Sequence, residues 1–121
     1  MRLSALPKTW LIDLDGTIFE HNGYLNGGDR LLPGVRELWA RIAPQDRIVV
    51  LTARGGEHEA AIRRRLAAFG LRVDDVLCGL GVGERILVND RKPSGLATAY
   101  AVNVARDAGL ADLQWTVDPE L

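Results

Sequence analysis

The chain has one cysteine, one methionine and two histidines in 121 residues, and aromatic side chains make up only 6% of it. A single cysteine, Cys78, excludes an internal disulfide, so the fold must rest on its core, and a reducing cytosol is the expected compartment. Cys78 sits in an apolar stretch and is expected to pack as a small hydrophobe rather than act as a catalytic thiol. His21 and His58 lack the spacing of zinc ligands. No run of about 18 apolar residues occurs, which argues against a membrane span. Residues 1–8 lack an apolar stretch of signal-peptide length. Charge of one sign is also missing: 15 basic and 16 acidic residues leave a formal −1. Such a balance gives no general attraction to nucleic acid or to an anionic membrane.

What is present is apolar and periodic. Hydrophobic residues account for 47% of the chain, enough for a packed core, and the length suits a single domain, 1–121. Thr9-Trp10-Leu11-Ile12 is a short apolar run that leads into Asp13 and predicts a buried strand. Asn22, Gly23, Asn26, Gly27 and Gly28 then break the chain, predicting a flap within about 18–32. Pro33-Gly34 opens a helix whose apolar positions Val35, Leu38, Trp39 and Ile42 recur at helical spacing, until Pro44 stops it.

Residues 47–51, RIVVL, form the clearest β-run, being branched and continuous. Residues 57–69 form the clearest helix, with Gly70 as its terminator. Residues 73–78 and 85–88 read as third and fourth strands. Residues 96–108 fit a helical face through Ala97, Tyr100, Ala101, Val104 and Ala108. Residues 99–104 also fit a strand closing the sheet, and helix is the preferred reading. The alternation predicts an α/β fold, a Rossmann-like three-layer sandwich with a mainly parallel sheet.

The polar residues that interrupt these strands are Asp13 with Asp15, Thr52, and Asn89 with Asp90. Each follows an apolar run, at the carboxyl end of an expected strand, where an open parallel sheet binds its ligands. Two carboxylates two residues apart repel each other and call for a cation or proton between them. Oxygen-only ligands suit magnesium. One carboxylate can then attack phosphorus while the other serves as acid and base. Thr52, Lys92 and the backbone amides of the Gly16 turn are suitable donors to a phosphoryl group.

WLIDLDGTIF resembles the first motif of the haloacid dehalogenase-like hydrolase superfamily, an apolar strand followed by DxDGT. VVLTAR resembles its second motif and ILVND its fourth, in order, over residues 9–92. The resemblance implies Asp13 as nucleophile and metal ligand, and Asp15 as acid/base that binds the metal through its carbonyl. It further implies Thr52 as a phosphoryl ligand and Asp90 as the third metal ligand, with Mg2+ as cofactor. The family usually places a phosphate-binding lysine or arginine some residues ahead of the fourth motif. Here residues 75–89 hold no lysine, so Lys92 is expected in that role, with Arg85 as the other candidate.

These expectations describe a capless, cytoplasmic phosphatase acting on a small phosphorylated metabolite such as a sugar phosphate. Neither the interval 18–32 nor the interval 53–84 has room for a cap domain. A homo-oligomer is expected to supply the missing lid. A polynucleotide 3′-phosphatase is an alternative, since Asn89-Asp90-Arg91 resembles the DDR ending of such domains; the near-neutral charge counts against it. A non-catalytic module that keeps the fold is another. Arg54 is expected either to gate the site or to lie on the surface. Arg63-Arg64-Arg65 is expected to be a solvated helix face.

Overall fold

Strand and helix alternate through the first two-thirds of the chain and then give way to irregular backbone. In the computed structural model, which describes residues 1–121, the elements are β1 (Arg2–Leu3), β2 (Thr9–Asp13), α1 (Val35–Arg41), β3 (Arg47–Leu51), α2 (Glu59–Ala68), β4 (Asp75–Leu77) and β5 (Thr116–Val117). Short 3-10 turns lie at Gly23–Leu25 and Gly56–His58. β2, β3 and β4 make a parallel sheet in that order, and β1 pairs in parallel with β5 as a separate ribbon. The protein is therefore α/β, with small parallel sheets and two helices. No helix is long and apolar enough to cross a membrane.

The register aligns Ile12 with Val50 and Val50 with Val76, so these side chains share one sheet face with Ile48. All four are buried, in one core with Val35, Leu38 and Trp39 of α1 and Ile62 and Leu66 of α2. Full burial of one such side chain stabilises the fold by about 1.5–3 kcal/mol. Buried Asp46 locks the start of β2: its carboxylate accepts from the Lys8 N–H at 2.9 Å and from Trp10 Nε1 at 3.0 Å.

Both helices have local reasons for their ends. Gly34, at φ 78°, precedes α1, and any side chain there would collide with the main chain of Ala111. α2 closes in a Schellman turn: Gly70, at φ 76°, donates to Ala67 O at 2.9 Å, and Leu71 donates to Leu66 O at 3.0 Å. Leu66 and Leu71 are both buried, as the hydrophobic contact of that motif requires.

Two expected elements do not form. Residues 85–88 pair with no strand, and Ile86 and Val88 are 86% and 89% exposed. The sheet has an edge that could receive a strand. Arg47 N–H donates to Lys8 O and Leu14 N–H to Leu51 O, each at 2.9 Å, so the even-numbered residues around β2 turn their main chain toward β3. Thr9, Leu11 and Asp13 therefore direct theirs outward, where no strand lies. The Arg85 side chain instead lies at the carboxyl end of β2, where Asp13 accepts from it.

Residues 96–108 form neither helix nor strand. Polar turn bonds consume their approach: Thr98 Oγ1 donates to Asp90 O, and Asn89 Nδ2 donates to Thr98 Oγ1 at 2.9 Å. Such side-chain bonds offer the backbone an alternative to regular structure. With no helix there, Leu11 and Leu77 on the second sheet face stay exposed, so that face lacks the helical layer the sequence predicts.

Candidate active site

The carboxyl ends of β2 and β3 bring Asp13, Asp15, Thr52 and Arg54 together. Asp13 is the last residue of β2 and pairs in register with Leu51 of β3. Buried Leu14 anchors the turn that follows, because its carbonyl accepts the N–H groups of Thr17, Ile18 and Phe19. Gly16, at φ 86°, lets the chain reverse. Its N–H is already donated to Phe19 O at 2.7 Å, so it is not free to bind a phosphoryl group. The N–H and carbonyl of Asp15 make no hydrogen bond, nor does the carbonyl of Thr17.

Each carboxylate is engaged by a cation. Asp13 Oδ1 accepts from Arg85 Nη1 at 3.0 Å, and its Oδ2 accepts from Thr17 Oγ1 at 3.2 Å. Asp15 is held by a two-pronged contact from Arg54, Nη2 to Oδ1 at 2.6 Å and Nε to Oδ2 at 3.1 Å. Thr52 is buried; its hydroxyl lies 3.4 Å from Asp15 Oδ2 and accepts from the Arg54 N–H at 3.1 Å. Thr52 N–H is spent on Leu77 O, which fixes the end of β3 against β4.

Arg54 is the most heavily committed side chain in the region. It also donates to Asp29, Nη2 to Oδ1 at 2.7 Å and Nη1 to Oδ2 at 3.2 Å, and its guanidinium lies 3.9 Å from the centre of the Tyr24 ring. Burial works to lower its pKa, but the hydrogen bonds to Asp15 and Asp29 outweigh it and raise the pKa above the ordinary arginine value. Arg54 is thus a permanent buried cation and not a surface residue.

The other candidates divide. Arg85 reaches Asp13, whereas Lys92 is exposed and contributes only main-chain groups, its N–H to Leu96 O at 3.1 Å and its carbonyl to Gly95 N–H at 2.8 Å. Asp90 is exposed, and no three acidic, histidine or cysteine side chains gather closely enough to hold a metal ion. Burial raises the pKa of Cys78 and Glu59 adds to the effect, which suits a packed thiol and not a nucleophile.

Sequence reasoning missed Arg106 and Asp107. The Arg106 side chain lies over Gly16, and Asp107 N–H donates to Gly16 O at 2.9 Å. It also missed Asp29 and Tyr24 as partners of Arg54. The glycine-rich composition of 22–28 signalled a flap, but nothing local signals which residue of the flap faces Arg54.

Concavities of about 300 Å3 between α1 and residues 110–114, and of about 460 Å3 beside Met1 and Trp115, are lined by none of these side chains. The candidate site is instead a charged rim at the strand ends. No protein-family model, curated protein or solved structure matches this chain.

Proposed function

We propose that the protein is a capless phosphatase of the haloacid dehalogenase-like type, hydrolysing a phosphate monoester of a small metabolite through a phosphoaspartyl intermediate at Asp13. The observation that carries this reading is the meeting of Asp13, Asp15 and Thr52 at the carboxyl ends of two adjacent parallel strands, with Thr52 Oγ1 3.4 Å from Asp15 Oδ2.

Asp13 Oδ attacks phosphorus and the ester oxygen leaves with the electron pair of the broken P–O bond. Asp15 gives that oxygen a proton, then takes one from the water that hydrolyses the acyl phosphate. Thr52 and the free N–H of Asp15 donate to the non-bridging oxygens. Arg85, already paired with Asp13, neutralises charge on the transferred group.

The oxygen donors here suit a hard cation in kind: the Asp13 carboxylate and the unpartnered Asp15 carbonyl would hold magnesium, with Asp90 outside the set in this arrangement. When bound, Mg2+ would supply neutralising charge at the phosphoryl oxygens. The active species is a homo-oligomer whose neighbouring subunit shields the site from water.

A second reading has its own observation. Both carboxylates are ion-paired to arginines, as in a binding module that has kept the fold without turnover. The test is hydrolysis of an aryl phosphate and a panel of sugar phosphates with and without magnesium. Turnover that chelation abolishes supports the phosphatase. A folded protein that binds phosphate and turns over nothing supports the module.

A further inference from the structure

Arg54 is placed between two carboxylates that do not share a segment. One, Asp15, belongs to the turn after β2, and the other, Asp29, to the glycine-rich flap. The Arg54 side chain is 4% exposed, and each carboxylate takes two hydrogen bonds from the guanidinium. One cation facing two anions leaves one negative charge in excess at a nearly buried place.

The flap is held by the same contacts. Tyr24 stacks on Arg54, Tyr24 meets His58 edge-on at 5.5 Å, and Arg65 Nη2 donates to Asp29 O at 2.9 Å. Gly27 and Gly28, at φ 97° and 122°, stand directly before Asp29, and a Cβ at either would meet no atom within 4 Å. Glycine's wide backbone freedom at these two positions allows Asp29 to be re-aimed once the bond from Gly28 N–H to Gly23 O, 2.9 Å, is released.

The arginine fork that receives a carboxylate also receives a phosphate, with the same planar two-bond geometry. We infer that Asp29 is a built-in anion that occupies the outer edge of Arg54 and latches the flap closed, and that an incoming phosphoryl group displaces it, so that the flap opens about Gly27-Gly28. The inference rests on the reading of this rim as a phosphate site. A latched state lowers the apparent affinity for phosphate in proportion to the fraction of time the fork is free. Removing the competing carboxylate removes that penalty.

The test uses inorganic phosphate and needs no turnover. Calorimetric titration of Asp29→Asn is expected to give a Kd about tenfold lower than wild type, the gain expected from freeing a fork that is open about a tenth of the time. Glu20→Gln, which neutralises a half-buried acid of the same flap beside Arg30, is expected to give no gain. In wild type, saturating phosphate is expected to speed hydrogen exchange at the amides of 23–28. Equal or weaker phosphate binding by Asp29→Asn, an equal gain from Glu20→Gln, or unchanged exchange under phosphate overturns the latch. Should Asp29→Asn fail to fold, the exchange experiment on wild type decides alone. Tighter binding by Asp29→Asn in a protein without turnover upholds the latch and defeats the phosphatase. Turnover by a wild type whose variant gains nothing does the reverse.

Discussion

Arg85 Nη1 lies 3.0 Å from Asp13 Oδ1, at the carboxyl end of β2. Both side chains remain about a third exposed, so the pair is solvent-screened and contributes little to folding. Its consequence lies in charge placement: a guanidinium stands where the oxygens of a group attached to Asp13 would sit.

Arg85→Ala is accordingly expected to lower kcat/KM for an aryl phosphate by about 10²-fold, the scale for losing one preorganised donor. Lys92→Ala, at an exposed side chain, is expected to cost less than about threefold. Steady-state kinetics on the two variants decide the matter, and the reverse ranking would return the role to Lys92.

Arg54 makes a different demand on the fold. Arg54→Ala leaves Asp15 and Asp29 facing each other with no cation between them. Breaking a buried ion pair from one side costs about 3–5 kcal/mol, and urea denaturation is expected to show a loss on that scale. A change below about 1 kcal/mol, the range of a surface ion pair, would mean that the three groups are solvated in solution.

Much of this arrangement was legible before any coordinates. The runs at 9–13 and 47–51 pair as β2 and β3, because continuous branched residues flanked by turns have few other ways to be buried. The helices begin and end at Gly34 and Gly70, where backbone geometry is written in a single residue. Residues 85–88 are as apolar as 47–51, yet they make no strand. Strand formation needs a paired neighbour as well as an apolar composition, and residues 85–88 have none. The stretch 99–104, with small, aromatic and branched residues in turn, satisfies helical and extended patterns alike and commits to neither. Arg54 was visible as a candidate gate, but Asp29 and Tyr24 lie far from it in sequence and no local pattern pairs them.

Apolar surface left open by these absences bears on assembly. Leu11 and Leu77 on the sheet face and Ile86, Val88, Tyr100 and Val102 along 86–102 are exposed, and open apolar surface of this kind favours association. Light scattering at assay concentration is expected to find a dimer or larger species. A monomer active on small sugar phosphates would refute the shared-lid account.

The central claim is that Asp13 carries the phosphoryl group. An aryl phosphate labelled at phosphorus, turned over with magnesium and quenched in acid, is expected to leave label on the peptide containing Asp13. Asp13→Asn, which removes the attacking charge with little change in volume, is expected to leave none while remaining folded. Label on any other residue, or turnover that persists in Asp13→Asn, would contradict the account.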